Sequence, residues 1–308
     1  MAIQPSQWIY LDGEWHAWAD AQVHVTTHAL HYGSSAFEGI RAYSTPEGPA
    51  IFRLSEHNQR LLDTCKMMYM PMDDYPLERL DELCIEAVRR NELASCYLRP
   101  IVYRGSGGLG LYPLDTPVSV CIFAVEWGRY LGQDAIEQGI DAMVSSWRRF
   151  HSGTAMPLAK IGGQYVTNQI VSVEARKAGF GEGIMLDDRG RVAEGAGENL
   201  FLVKDGAILT PAMAQSILGG ITRASVVQLA QDHGIPVREA TISRDMLYTA
   251  DEIFMTGTAA EVSPVRSVDR IQIGNGSRGP ITEKLQTAFF DLVEGRSDDP
   301  HGWRTLVA

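Results

Sequence analysis

Two α/β domains are predicted for this chain, and three features of the sequence predict them. Its 308 residues suit two domains of about 150 residues each. Short strands joined by hairpin turns alternate with amphipathic helices in both halves. Midway, Trp127-Gly128-Arg129-Tyr130-Leu131-Gly132-Gln133 interrupts the pattern before it restarts. The division expected is therefore a small N-terminal α/β domain at 1–126, an interdomain loop at 127–136 and a large C-terminal α/β domain at 137–308.

The elements follow in order. Ile9-Tyr10-Leu11 and Glu14-Trp15 flank an Asp12-Gly13 turn and read as a hairpin. Strands are expected at Gly39–Tyr43 and Ala50–Leu54. Ser55 is placed to cap a helix running to Met68, with Leu61, Leu62, Cys65 and Met68 at helical spacing. Pro76 suits the first turn of a second helix, whose buried stripe is Leu77, Leu80, Cys84 and Val88. Strands are predicted at Cys96–Arg104, Pro117–Glu126 and Ile140–Trp147, then a helix over about Val166–Ala178. Hairpin turns fall at Asp188-Arg189-Gly190 and Lys204-Asp205-Gly206. A helix at Thr222–Asp232 stops before Gly234, strands follow near Pro236–Thr241 and Glu252–Met255, and a helix spans Thr282–Val293.

Composition excludes several classes. Hydrophobic residues make up 45% and charged residues 21%, the profile of a packed protein and not of a disordered one. A net charge of −11 argues against general affinity for nucleic acid or anionic membrane. The N-terminus lacks the basic and apolar segments of a signal peptide. The longest strongly apolar run, Val118 to Val125, is far below the ~20 residues that cross a bilayer. Cys65, Cys84, Cys96 and Cys121 show no Cys-x-x-Cys spacing and read as small core residues in a reducing compartment. A soluble cytoplasmic protein is expected.

Lysine is scarce, at positions 66, 160, 177, 204 and 284. Four of these sit on helix surfaces or at a turn. Lys160 lies in Met156-Pro157-Leu158-Ala159-Lys160-Ile161-Gly162-Gly163-Gln164-Tyr165, and no acidic residue occurs between positions 150 and 170. Loss of solvation there favours the neutral, nucleophilic amine. The glycine pair allows close backbone approach to a bulky group, and Tyr165 can bring a phenol to the same place. Alone, such a lysine is more often a snorkelling surface residue. Its companions are Glu194-Gly195-Ala196-Gly197-Glu198-Asn199-Leu200-Phe201 and Leu218-Gly219-Gly220-Ile221-Thr222-Arg223. The second segment puts glycines before a helix, where N–H groups and the helix dipole suit a phosphate. Met255-Thr256-Gly257-Thr258-Ala259-Ala260 offers another small-residue anion loop.

Together these segments resemble the class IV pyridoxal-phosphate aminotransferases, in particular the bacterial branched-chain amino acid type, from about Trp8 to Trp303. His28-Ala29-Leu30-His31-Tyr32-Gly33, Phe37-Glu38-Gly39-Ile40-Arg41 and Tyr97-Leu98-Arg99-Pro100 extend the likeness. It implies a two-domain D-amino-acid-aminotransferase-like fold, α+β in each half, with the cofactor site between domains. It also implies transamination of L-leucine, L-isoleucine and L-valine with 2-oxoglutarate, with ping-pong kinetics. Pyridoxal 5'-phosphate would be attached to Lys160, which also moves the Cα proton. Glu194 would sit beside the pyridine nitrogen, Tyr165 beside the phenolic oxygen and Leu218 against the ring. Arg60, Ile221, Thr222 and Thr258 would hold the phosphate, although Arg60 by itself reads as a helix-surface charge.

For substrate, the resemblance gives Tyr97, with the N–H groups of Thr258 and Ala259, to the α-carboxylate. Arg99, two residues along the same strand face, would take the side-chain carboxylate of glutamate. Tyr32, Phe37, Gly39, Leu109, Leu111, Trp127 and Tyr130 would wall the pocket. His28 and His31, one turn apart, have no third ligand in view, so no metal is expected. A homodimer or higher homo-oligomer is implied. Departures from the family pattern are Gln164, where asparagine is common, and His151-Ser152-Gly153-Thr154-Ala155 ahead of the lysine. Transaminases of D-amino acids or (R)-amines share the fold, and the Tyr97-x-Arg99 pair weighs against them. 4-Amino-4-deoxychorismate lyase uses the same cofactor on a bulkier substrate, which the aromatic wall disfavours.

Overall fold

A computed structural model describes residues 3–127 and 133–307. The chain forms two compact units, Met1–Trp127 with Ala159–Gln164 and Leu292–Ala308, and Gly128–Leu158 with Tyr165–Asp291. Two short stretches beyond the expected division thus belong to the first unit. Backbone pairing explains both. Strand Arg304–Leu306 lies antiparallel to Gly48–Phe52, while Ile161 bridges to Ala36 and the Gly163 N–H donates to the Gly33 carbonyl at 3.0 Å.

The first unit is built on an eight-stranded sheet. Its order is Arg304–Leu306, Gly48–Phe52, Ile40–Thr45, Cys96–Arg104, Val118–Val125, Trp8–Leu11 and Glu14–Ala17, with Ser35–Phe37 also pairing to Cys96–Arg104. The first hairpin turns through Asp12 and Gly13 at φ 48° and 101°, as a two-residue turn that follows strand twist requires. Alternation in Cys96–Arg104 and Val118–Val125 buries Leu98, Val102, Val120, Ile122 and Ala124 on one face. Helices Leu54–Met67 and Leu77–Arg90 cover that face with Leu61, Cys65, Leu80, Cys84 and Val88. The first of these helices does not start on a Ser55 cap. Arg53 occupies the cap position in the left-handed region at φ 51°, and the Ser55 hydroxyl donates to Asp81 on the neighbouring helix.

In the second unit a nine-stranded sheet runs Val192–Gly195, Glu182–Leu186, Ile140–Arg148, Glu261–Val268, Glu252–Gly257, Asn199–Lys204, Ala207–Thr210 and Val237–Glu239. Ile271–Gln272 pairs with Glu261–Val268. Glu194 also pairs with Asn199, so six of these strands close upon themselves. The enclosed core includes Val144, Ile184, Leu200, Leu202, Ile253, Met255 and Val265. Helix Tyr165–Lys177 packs on strands Ile140–Arg148 and Glu182–Leu186. Helix Ile221–Asp232 begins immediately after the Gly219-Gly220 pair. No described helix is long and apolar enough to cross a membrane.

Candidate active site

In the first unit, Lys160 is held by its backbone. Its N–H donates to Thr64 Oγ1 at 3.1 Å, and its carbonyl accepts from the Phe37 N–H at 3.1 Å. The side chain is half-buried, with Nζ 4.8 Å from the centre of the Phe37 ring. The glycines that follow make room for the chain itself. A Cβ on Gly162 would stand 2.3 Å from Ser35 Oγ, and one on Gly163 would stand 3.1 Å from the Gly33 carbonyl oxygen. The close approach expected there is therefore to residues 33–35 of the same unit.

Arg60 is no surface charge. Its Nε and Nη2 donate to the two Glu38 carboxylate oxygens at 2.6 and 2.8 Å, and His57 Nδ1 lies 2.7 Å from Glu38 Oε2. Glu38 is wholly buried. Burial alone would raise its pKa, but the Arg60 guanidinium and the His57 ring outweigh it and leave the carboxyl far below its ordinary 4.5. Desolvation, assisted by Arg60 and Lys160, lowers His57 against the opposing pull of Glu38.

Tyr97 is buried and Arg99 half-buried on one face of strand Cys96–Arg104. Arg99 Nη2 donates to the Tyr97 hydroxyl at 3.2 Å, and the guanidinium carbon lies 4.8 Å over the Phe37 ring. Trp127 sits 5.1 Å from Tyr97, centre to centre. Gly39 is indispensable here, because a Cβ would fall 1.8 Å from the Tyr97 hydroxyl. Three residues expected in the pocket wall are instead exposed: Tyr32 at 46%, Leu109 at 59% and Leu111 at 83%. The Tyr32 hydroxyl donates to the Leu109 carbonyl at 2.8 Å, which ties the loop to helix His28–Tyr32 and leaves its apolar side chains in solvent. Tyr130 lies outside the described residues. His28 bonds to Ser34 and Gly110, His31 to Val25, and no metal-binding cluster occurs among the described residues.

The second unit centres on Glu194, buried at the end of its strand. One carboxylate oxygen pairs with Arg149 Nε at 2.8 Å; the other accepts from Asn199 Nδ2 at 3.1 Å and from the Leu218 N–H at 2.9 Å. Asn199 also donates to the Leu218 carbonyl at 2.9 Å, and only glycine fits opposite it, since a Cβ on Gly220 would meet Asn199 Oδ1 at 1.9 Å. The loop 218–220 is thereby fixed beside Glu194, and it leads into helix Ile221–Asp232, which has no side-chain cap. Tyr165 opens its own helix, half-buried. Thr258 and Ala259 form the turn after strand Glu252–Gly257, and the carbonyl of Gly197 would stand 3.1 Å from a Cβ on Gly257.

Each unit holds groups whose chemistry suits pyridoxal phosphate. The first has an amine and an anchored guanidinium; the second has a buried carboxylate and a glycine-led helix start suited to an anion. The family model for amino-transferase class IV matches residues 35–268. The branched-chain-amino-acid aminotransferase of Escherichia coli (strain K12) is 49% identical over 308 residues, 100% of this chain and 99% of that one. This chain belongs to the class IV aminotransferases. A crystal structure of the Escherichia coli branched-chain amino acid aminotransferase superposes on this one with a TM-score of 0.96 at 49% identity, covering 98% of this chain and 100% of that one. The branched-chain amino acid aminotransferase of Thermobaculum terrenum, solved as the holo-form with PLP, gives a TM-score of 0.92 at 30% identity and covers 99% of each chain.

Several residues of this class IV aminotransferase escape a reading of the sequence: Glu38, His57, Arg149 and Asn199. Glu38 and Asn199 lie inside motifs that are visible in the sequence. Arg149 follows Arg148 at the end of strand Ile140–Arg148, a place where an arginine normally meets solvent. Nothing local marks it as buried.

Proposed function

We propose that this enzyme transfers the amino group between L-leucine, L-isoleucine or L-valine and 2-oxoglutarate, giving branched-chain 2-oxo acids and L-glutamate. The identity of 49% over the whole chain to a branched-chain-amino-acid aminotransferase carries the reading. Pyridoxal 5'-phosphate, when bound, supplies the electron sink that makes the substrate Cα–H acidic. Lys160 anchors it, and the Lys160 amine takes and returns the Cα proton. Glu194 holds the proton at the ring nitrogen, Tyr165 serves the phenolic oxygen, and Leu218 packs on the ring. Arg60 and the first turn at Ile221 and Thr222, with Thr258, hold the phosphate.

Tyr97, with the Thr258 and Ala259 N–H groups, orients the substrate carboxylate. Arg99 accepts the side-chain carboxylate of glutamate, while Phe37, Gly39 and Trp127 receive aliphatic side chains. The exposure of Tyr32, Leu109 and Leu111 supports their burial by a second copy of the chain, in a cytoplasmic homodimer or larger assembly. The test is to mix the yellow enzyme separately with L-leucine, L-valine, L-glutamate, D-alanine and (R)-1-phenylethylamine and follow the bleaching. The L-amino acids should bleach it quickly. Rapid bleaching by D-alanine with none by L-leucine would reverse the assignment in favour of a D-amino acid transaminase.

Two substitutions probe the pocket. Arg99→Met removes a charge-assisted contact made by glutamate alone, so kcat/KM for L-glutamate should fall roughly 10- to 100-fold while that for L-leucine holds. An equal loss for both substrates would deny Arg99 its selectivity. Gly39→Ala forces the Tyr97 phenol aside, because the new methyl would lie 1.8 Å from its oxygen. Displacement on that scale should cost about 100-fold in kcat/KM for every substrate. An unaltered kcat/KM would show that Tyr97 does not orient the carboxylate.

A further inference from the structure

Three buried glutamates lie close together in the second unit: Glu182, Glu194 and Glu198, all less than a tenth exposed. Their partners differ sharply. Glu182 accepts from the Gly183 N–H at 2.7 Å and senses Arg176 only at a distance. Glu198 accepts from the Gly197 N–H at 3.0 Å and has no cationic partner among the described residues. Burial first, then the neighbouring Glu182 and Glu194 carboxylates, push Glu198 well above the ordinary carboxyl range. Glu194, four residues earlier in the same motif and just as buried, is the one that meets a guanidinium.

That guanidinium is built into place. Arg149 is 4% exposed; its Nη1 donates to Asn168 Oδ1 at 3.1 Å and its Nε lies 3.4 Å from the Ser216 carbonyl. Its guanidinium carbon stands 3.9 Å over the Phe150 ring. Ser216 takes a left-handed conformation, φ 60°, costly for a residue with a Cβ. The bend turns the Ser216 carbonyl toward Arg149 and, two residues on, the Leu218 N–H toward Glu194.

We propose that Arg149 is a positioning residue that holds Glu194 as an anion and so keeps the shared proton on the cofactor's ring nitrogen. The proposal rests on the placement of Glu194 beside that nitrogen. A carboxylate bonded to a guanidinium loses proton affinity. Where both atoms compete for one proton in a site of low dielectric, that loss leaves it on the nitrogen. Without Arg149, Glu194 would keep the Asn199 and Leu218 donors but lose the guanidinium, and burial beside Glu198 would favour its protonated form.

The experiment is nitrogen-15 NMR of enzyme reconstituted with pyridoxal phosphate labelled at the ring nitrogen. The wild-type resonance should lie at the pyridinium position and stay there from mildly acidic to mildly alkaline pH. In Arg149→Met it should move toward unprotonated pyridine, and in Arg149→Lys, which keeps the charge, it should return most of the way. A pyridinium resonance in Arg149→Met overturns the proposal. So does a wild-type resonance that titrates across that pH range, a measurement that needs no variant to fold. Glu194→Gln separates the two levels of inference: if its nitrogen remains protonated, the placement of Glu194 itself is wrong.

Discussion

Replacing Lys160 with alanine is expected to lower the rate of transamination by at least ~1,000-fold, within the range a positioned acid–base group provides. It should also leave the cofactor bound but releasable. Both effects follow from one atom, because the amine that anchors the cofactor is the amine that moves the Cα proton. The fold should survive. Lys160 is fixed through its main chain, by Thr64 Oγ1 and the Phe37 N–H, and alanine keeps both bonds. What is lost is a half-buried side chain resting over Phe37. Thermal melting of the apo forms should therefore nearly coincide, while borohydride reduction should fix the cofactor to wild type and not to the variant. A reducible link that persists in Lys160→Ala would move the anchor to another residue, and Lys160 would then be only a base.

The segments that carry the candidate site were legible in the residues because their motifs are local. Leu218, Ile221 and Thr222 lie within one loop–helix passage, two strands after the strand that carries Glu194, and its glycines mark where backbone must come close; Gly220 opposite Asn199 is the plainest case. The strand Cys96–Arg104 declares itself by alternation, and with it the shared face of Tyr97 and Arg99. What stayed hidden depends on partners remote in sequence. Strand Glu261–Val268 lies in the middle of the larger sheet, yet Pro264 and four charged or hydroxyl residues around it, Glu261, Ser263, Arg266 and Ser267, erase any alternation. Strand Arg304–Leu306 becomes a strand only because Gly48–Phe52 offers an edge. Arg149 looks like any arginine at a strand end until Glu194, 45 residues away, supplies its counter-charge. Leu109 and Leu111 show the opposite limit, since apolar character alone did not tell whether this chain encloses them.

Glu38→Gln is expected to destabilise the apo-enzyme by about 3–5 kcal/mol near neutral pH, the cost of breaking a buried ion pair from one side. The substitution keeps the shape and deletes the charge that faces both Arg60 and His57. The effect has a pH signature that a packing defect lacks. Glu38 has a folded pKa far below its ordinary 4.5, so its contribution is fully present above 4.5 and declines as acid protonates the unfolded chain. Below 4.5 this charge term should close the gap between wild type and variant by up to about 1.4 kcal/mol per pH unit. His57 acts in an earlier window. Its folded pKa lies below its ordinary 6.5, so the unfolded state takes up the proton first and wild-type stability begins to fall as pH drops past 6.5. In Glu38→Gln the ring loses the carboxylate that favoured its charged form, leaving burial and two cations to oppose protonation, so this earlier decline should deepen. Urea unfolding of both apo-proteins between pH 7 and pH 3 checks each part. A gap that stays constant across that range would mean that Glu38 contributes shape and hydrogen bonds but no charge pairing, and Arg60 would then need another reason for its fixed position.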